Sequence, residues 1–111
     1  MAIADPTATE MVEEITRRIV AATDPLKVIL FGSRARGDAR PESDFDLLVI
    51  RQSSEPRPQR AAPLYTALAD LPVEVEVMVY TPLDVSQWAT VPEAFITTAI
   101  REGRVLYERP S

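Results

Sequence analysis

Two groups of residues in the first half of the chain could together bind phosphate and metal ions. Gly32 and Ser33 follow the apolar run 28–31. The glycine lets a ligand approach the backbone, and the serine can offer its hydroxyl and its N–H at the start of a helix. Asp44 and Asp46 stand two residues apart where a second apolar run begins, so in a β-strand both carboxylates point to the same face. This pattern predicts a site where oxygen ligands hold divalent cations beside a bound phosphate.

Further charged residues could serve the same site. Residues 73–80 alternate as a strand does and carry Glu74 and Glu76 on one face. Three or four carboxylates in one pocket repel one another strongly. Two divalent cations about 3.5–4 Å apart would relieve that repulsion, activate an attacking hydroxyl and neutralise charge on a transferring phosphoryl group. Arg34 and Arg36 are placed to add charge-assisted contacts to a nucleotide phosphate.

The composition excludes several other kinds of site. The 111 residues include no histidine and no cysteine, which removes Ser-His catalysis, histidine proton shuttles and thiolate metal centres. A metal ion must then be held by oxygen, as Mg²⁺, Mn²⁺ and Ca²⁺ are. The net charge of −5 argues against direct binding of nucleic acid through a basic surface. No apolar run approaches the length of a membrane span, and we expect a soluble cytoplasmic protein.

The remaining sequence predicts helices and strands in alternation. The predicted helices are 7–23, which begins with the capping box Thr7-x-x-Glu10, a short one from 33, one around 64–71, a short one from 81 and one from about Pro92 to 102; the predicted strands are 28–31, 45–50, 73–80 and 105–107. Residues 51–60 are predicted as an exposed loop, Phe95 as a buried residue, and Tyr65 and Trp88 as parts of the core. The alternation indicates a single α/β domain over residues 1–111.

The order of these elements could bring the acids together. The segment between the second and third predicted strands contains a helix and is long enough for a parallel crossover. If these strands pair in parallel, their acid-bearing starts lie at the same edge of the sheet. If the first strand runs antiparallel to the second, Gly32 and Ser33 reach that edge too.

Each signal also has an alternative that involves no function. A Gly-Ser pair before a helix is a common turn and cap, an isolated Asp-x-Asp carries little information, and Glu74 and Glu76 could simply be a polar face near the rim of a sheet. The ordered combination favours a site: an apolar strand, Gly-Ser, a loop, Asp-x-Asp opening a second strand, and acids opening a third.

At these residues the chain resembles the minimal nucleotidyltransferase family, small relatives of the DNA polymerase β palm. The family pattern is Gly-Ser, ten residues, then Asp-x-Asp, and Gly32-Ser33 followed by Asp44-Phe45-Asp46 has that spacing. The surrounding Phe-Gly-Ser-Arg-Ala-Arg-Gly and Ser-Asp-Phe-Asp-Leu also resemble it. The likeness extends over nearly the whole chain.

The resemblance implies a fold, an activity and a set of site residues. The fold is a polymerase β palm-like mixed β-sheet flanked by helices, and the activity is transfer of a nucleoside monophosphate from Mg²⁺-ATP to a hydroxyl. Metal binding falls to Asp44 and Asp46, and phosphate binding to Gly32 and Ser33. The third carboxylate of the family is usually Asp, and its place is taken by Glu76. Glu76 would complete the catalytic and two-ion metal site, and Glu74, on the same face, is the alternative third ligand.

The resemblance also implies a partner. Many members of the family are antitoxins encoded beside a HEPN-type RNase toxin, and some add AMP to a tyrosine of that partner. Since 111 residues leave no separate acceptor-binding domain, we expect another chain to bring the acceptor hydroxyl, in a homo- or hetero-oligomer. We therefore expect an antitoxin that adenylylates its partner. The alternatives are a catalytically weak binding module that sequesters the partner, and a small-molecule nucleotidyltransferase whose homodimer builds the acceptor pocket.

Overall fold

The structure is a computed structural model that describes residues 8–89, 91 and 94–110. Its elements, in chain order, are α1 (Ala8–Thr23), β1 (Lys27–Phe31), α2 (Ser33–Arg36), β2 (Phe45–Ile50), α3 (Arg57–Arg60), α4 (Ala62–Leu68), β3 (Val75–Tyr80), α5 (Pro82–Trp88), α6 (Phe95–Glu102) and β4 (Arg104–Glu108). The predicted alternation of helices and strands is thereby confirmed. Among these helices none has the length and apolar character that crossing a membrane requires.

The four strands form one mixed sheet in the order β3-β2-β1-β4. β1 pairs antiparallel with both β2 and β4, and β2 pairs parallel with β3. The end of β1 and the starts of β2 and β3 therefore lie at the same end of the sheet, as the sequence predicted. In this register Asp46 lies opposite Phe31 on one side and opposite Glu76 on the other.

Both faces of the sheet are covered, which explains the continuous apolar character of β1 and β2. α1 and α4 cover the first face and form the larger core cluster: Met11, Ile15, Ile19, Val28, Leu30, Phe45, Leu47, Val49, Leu64, Leu68, Val77 and Val79. α6 covers the second face, where the buried residues are Ile29, Leu48, Ile50, Tyr80, Ile96 and Ala99. Asp46 and Leu48 are two residues apart in β2, so both side chains lie on the second face. The acids therefore belong to that face, at the end of the sheet where β2 and β3 begin.

Some predicted boundaries differ from the structure. The third strand begins at Val75 rather than at residue 73. The end of the predicted loop 51–60 is helical, because Pro56 takes the N-cap position of α3 and a second proline sits in the first turn, where proline is tolerated. α5 begins with a complete capping box between Thr81 and Asp84. Thr7 and Pro92, with which two predicted helices began, lie outside the described residues.

Three aromatic residues are more exposed than the sequence suggested. Phe95 is 48% exposed, Tyr65 43% and Trp88 44%, so the prediction that they belong to the core is wrong. Phe95 opens α6 and lies edge-on against Phe31, with 5.3 Å between ring centroids, which leaves its outer side open. The hydroxyl of Tyr65 is held by the backbone of Val77 at the edge of the sheet. Trp88 is the last residue of its helix.

Candidate active site

The predicted site residues meet at one end of the sheet, which we call the acidic rim: Gly32, Asp44, Asp46 and Glu76. Asp46 and Glu76 are partners in the parallel register, so their side chains leave the sheet on the same face about 4.8 Å apart. Asp44 lies just before β2 and is exposed, whereas Asp46 is half-buried. The rim thus presents carboxylates from two neighbouring strands beside the glycine turn that ends β1.

The charges of the rim act on one another at Asp46. Its pKa is raised above the ordinary value, first because burial disfavours the charged form, and next because the negative charges of Glu76 and Asp44 disfavour ionisation. The positive charge of Arg36 acts in the opposite direction. The three carboxylates and this arginine therefore form one electrostatic group, and a bound cation would stabilise the ionised form of Asp46.

Gly32 lies directly against the carboxylate of Asp46. Its backbone has φ +75° and ψ −157°, a region that residues other than glycine essentially never adopt. A Cβ at this position would lie 2.4 Å from Asp46 Oδ2. Ser33 follows Gly32 as the first residue of α2. The missing side chain of Gly32 is what allows this approach of backbone to carboxylate.

The two predicted phosphate-binding arginines have different surroundings. Arg34 donates from Nη2 to the carbonyl oxygens of Pro41 and Ser43, at 3.1 and 2.8 Å. Its guanidinium also stacks over the ring of Phe45, 4.0 Å from the centroid. These contacts connect α2 to the end of the loop that leads into Asp44. A nucleotide-binding role for Arg34 stays a prediction, and its contacts here are those of a residue that holds the loop.

Arg36 is exposed and faces the rim. Its Nε lies 3.4 Å from a carboxylate oxygen of Asp38, and its charge reaches Asp46. It also lines a cavity of about 240 Å³ next to the glycine turn, together with Phe31, Gly32, Phe95, Thr98, Ala99 and Glu102. Sequence reasoning missed this cavity, although the aromatic residue directly before Gly-Ser was a signal that could have suggested it.

The structure separates the two glutamates that the sequence left as alternatives. Glu76 is the register partner of Asp46 and one of the charges that raise its pKa. Glu74 precedes β3, where its carbonyl accepts a hydrogen bond from the Phe45 N–H at 2.9 Å. Its side chain lines a different cavity, beside Ser43 and residues 71–73. The geometry therefore favours Glu76 over Glu74 as the third acid of the site.

The donor set suits a hard divalent cation, although its oxygens are not gathered. In the part of the chain that the structure describes, no three acidic, histidine or cysteine side chains are close enough together to hold a metal ion as they stand. Asp44, Asp46 and Glu76 nevertheless supply only oxygen ligands, as Mg²⁺ prefers. Asp46 and Glu76 are partners in the register, Asp44 lies just before β2, and the charges of Glu76 and Asp44 act on Asp46. These residues fit Mg²⁺ in donor chemistry, and their side chains would have to turn toward one another to hold it.

Comparisons with known proteins identify relatives in sequence and in fold. Residues 13–111 match the family model described as polymerase beta, nucleotidyltransferase. A structure from Sulfolobus solfataricus that is classed as a nucleotidyltransferase has 18% identity and a TM-score of 0.64, over 97% of this chain and 94% of that one. A toxin–antitoxin structure determined with AMP-PNP has 16% identity and a TM-score of 0.59, over 88% of this chain and 73% of that one. No curated protein matches the sequence significantly.

Proposed function

The chain belongs to the polymerase β nucleotidyltransferase family, and on that premise we propose that it transfers AMP from ATP to a hydroxyl group of a partner protein. The observation that carries the proposal is the meeting of Gly32 with Asp46 at the acidic rim, where the charges of Asp44 and Glu76 also act. A phosphate-binding turn and clustered carboxylates at one point are what nucleotidyl transfer needs.

Each residue of the rim has a part in this reaction. Gly32 lets the triphosphate approach the backbone, and Ser33 donates its hydroxyl and N–H to a phosphate oxygen. Arg36 adds positive charge on the same side. Asp44, Asp46 and Glu76 would hold Mg²⁺, which supplies charge neutralisation at the phosphoryl group and lowers the pKa of the acceptor hydroxyl.

The transfer exchanges a phosphoanhydride bond of ATP for a phosphate ester bond to the acceptor. The acceptor oxygen forms a bond to the α-phosphorus of ATP, the bond from that phosphorus to the β-phosphate oxygen breaks, and pyrophosphate leaves. The proton of the acceptor hydroxyl passes to a rim carboxylate or to water. Glu76 is exposed at the side of Asp46 that is away from Gly32, and we propose that the acceptor approaches from this side.

We propose further that the acceptor belongs to a HEPN-type toxin, so that the chain acts as an antitoxin in the cytoplasm, where ATP is available. Support comes from the toxin–antitoxin structure with the same fold, determined with an ATP analogue. At 16% identity this likeness supports a shared fold, and the acceptor is identified by the experiment that follows.

The test is label transfer from α-labelled ATP to the protein encoded by the neighbouring reading frame, with and without Mg²⁺. The double variant Asp44→Ala with Asp46→Ala should abolish transfer, because both assigned metal ligands of β2 are lost. Glu76→Ala should lower transfer about tenfold or more. Glu74→Ala, which removes an acid from the neighbouring loop, is the matched control and should retain transfer. Unchanged transfer in the double variant would remove the metal-site assignment.

A second candidate function is partner sequestration without catalysis. It is favoured by one observation, the exposed Glu76 in the place where the family usually has aspartate. The longer side chain changes the geometry available to a metal ion. If the double variant of Asp44 and Asp46 still neutralises the partner in cells, sequestration is the function. If neutralisation is lost while the variant remains folded, the enzyme is supported.

A further inference from the structure

A groove runs along the outer edge of β3, on the side of the acidic rim away from Gly32. We call it the edge groove; its volume is about 540 Å³, and it is lined by Arg57, Pro58, Ala61, Tyr65 and residues 77–80. Met78, which lines the groove, lies on the same face of β3 as Glu76 and two residues further along the strand. The groove therefore begins next to Glu76, at the side of the rim opposite to the glycine turn and Arg36.

The edge groove does not offer the strand edge for β-sheet extension. β3 is the outer strand of the sheet, but some of its outward backbone groups are occupied by side chains of the same chain. The N–H of Val77 donates to the hydroxyl of Tyr65 at 2.8 Å. The carbonyl of Val79 accepts from Arg60 Nη1 at 3.3 Å. A ligand in this groove would therefore be recognised through its side chains rather than by strand pairing.

Arg57 gives the groove a positive charge at its far end. Its guanidinium stands over the ring of Tyr80, 4.9 Å from the centroid, and Nη1 lies 3.4 Å from the Tyr80 hydroxyl. The neighbouring Arg60 is paired with Asp84 at 2.9 Å, whereas Arg57 has no ion pair with any residue in the described ranges. In a chain of net charge −5, a guanidinium on an aromatic wall without a carboxylate partner suits an acidic ligand.

The geometry of transfer places the acceptor on this side. The attacking and leaving oxygens lie roughly in line across the transferring phosphorus. Gly32 and Arg36 put the leaving pyrophosphate over β1, and Asp46 of β2 lies between β1 and β3. The attacking hydroxyl must then come from the side of Glu76 and β3, where the edge groove begins.

We propose that the edge groove binds the segment of the partner protein that carries the acceptor hydroxyl, with Arg57 pairing to a carboxylate of that segment. This proposal rests on the proposed function and adds to it the surface that binds the partner and the charge on the partner that Arg57 recognises. Glu76 and Tyr80 are four residues apart in one strand, a distance of about 13 Å. An extended partner segment covers that distance in about four residues, so the acidic side chain lies about four positions from the hydroxyl.

The test measures binding of fluorescein-labelled peptides by fluorescence anisotropy. Each peptide carries one tyrosine and one charged residue about four positions away, on either side, with glutamate in one set and lysine in the other. The wild-type chain should bind one of the glutamate peptides more tightly than its lysine counterpart. Arg57→Glu should lower the affinity for that glutamate peptide by about tenfold, because attraction between the charges is replaced by repulsion. The same variant should bind the lysine peptide more tightly than the glutamate peptide.

Two further variants keep the result interpretable. Arg17→Glu makes the same charge change at an exposed residue of α1, on the helix that packs on the first face, and should leave both affinities unchanged. Arg57→Gln removes the charge without adding a negative one, so it reports on the pairing if Arg57→Glu fails to fold. Equal binding of both peptide sets by the wild type and the Arg57 variants, or no binding of any peptide, overturns the proposal.

The experiments can refute the proposed docking in the edge groove and the proposed transferase activity independently of each other. Peptide binding needs no catalysis, so the double variant of Asp44 and Asp46 should keep the preference for glutamate while losing label transfer. Transfer to the partner without any effect of Arg57 would count against the groove alone. A glutamate preference that depends on Arg57, without transfer by the wild type, would count against the enzyme alone.

Discussion

Replacing Gly32 by alanine would place a methyl group where the structure has the carboxylate of Asp46. The new Cβ would lie 2.4 Å from Oδ2 and 3.3 Å from Cγ of that residue, well inside contact distance. The backbone would also hold a non-glycine residue at φ +75° and ψ −157°. The substitution therefore has two separable costs: strain in the backbone and displacement of an acid of the rim.

The two costs can be sized from the geometry. A non-glycine residue in this backbone region costs about 1–3 kcal/mol, and turning Asp46 away from its position adds about 1 kcal/mol. Gly37 supplies a matched control, because it has φ +87° and ψ 11°, with nothing within 4 Å of the position that a Cβ would take. Gly37→Ala should cost only the left-handed strain of about 1–2 kcal/mol.

Urea denaturation of both alanine variants, in metal-free buffer and in the wild-type and Asp46→Ala backgrounds, measures the difference. Removing the Asp46 side chain removes the collision, so Gly32→Ala should cost about 1 kcal/mol less in that background. The cost of Gly37→Ala should be the same in both. In the label-transfer assay Gly32→Ala should lose about tenfold or more of the activity, whereas Gly37→Ala should keep most of it.

The outcome that refutes this reasoning is equal behaviour of the two glycines. If Gly32→Ala costs as much as Gly37→Ala, and costs the same whether or not Asp46 is present, then Gly32 serves only as a turn. If Gly32→Ala transfers AMP at the wild-type rate, its contact with Asp46 plays no part in the reaction, and the proposed site loses the observation that carries it.

Three further predictions concern separate parts of the structure and are measured by urea denaturation. Arg34→Lys should lower the free energy of unfolding by about 1–3 kcal/mol, because lysine cannot both stack on the ring and donate to two carbonyls. The control Arg36→Lys, at an exposed ion pair, should change it by less than about 1 kcal/mol. Equal effects would refute the conclusion that Arg34 holds the loop. Asp84→Ala should cost about 1–2 kcal/mol at neutral pH through loss of the cap. The pKa of Asp84 is lowered, first because its carboxylate accepts a hydrogen bond from the Thr81 N–H. The stabilisation by Asp84 is therefore complete above 3.8, the ordinary pKa of an aspartate, and is lost as pH falls through the folded-state pKa. A cost of Asp84→Ala that does not change with pH would contradict this. Asp46→Asn in metal-free buffer should raise the free energy of unfolding at neutral pH, because the raised pKa of Asp46 makes its ionisation unfavourable in the folded chain. This gain should vanish below pH 3.8, the ordinary pKa of an aspartate. A lower free energy of unfolding at neutral pH would contradict the prediction.

The acidic rim was predictable because it depends on local rules. Alternation along a strand puts Asp44 and Asp46 on one face whatever the neighbours are. A helical connection between β2 and β3 allows parallel pairing, which brings the acids of the two strands to the same end of the sheet. These rules bring Gly32 there only if β1 runs antiparallel to β2, which the sequence left open and the structure shows. They do not fix the register, which is why Glu74 and Glu76 could be separated only once Asp46 and Glu76 were seen as partners.

The different surroundings of Arg34 and Arg36 could not be predicted, because they depend on a loop. The two residues are two positions apart in a helix of four residues, so they point to different sides. Arg34 is directed to the loop by the carbonyls of Pro41 and Ser43 and by the ring of Phe45. The exposure of Phe95 and the edge groove likewise depend on how helices meet the sheet, which no pattern within one element records.

The position of Asp44 depends on Arg34 as well as on the sheet. Asp44 precedes the first residue of β2, and on that side the Phe45 N–H donates to the Glu74 carbonyl. On its other side lies the loop that follows α2. Arg34 joins the start of that loop to its end through the carbonyls of Pro41 and Ser43. The same short helix that begins with Ser33 therefore also holds the loop that carries Asp44. The glycine turn and this carboxylate are in this way held in one fixed relation, which the proposed in-line transfer would require.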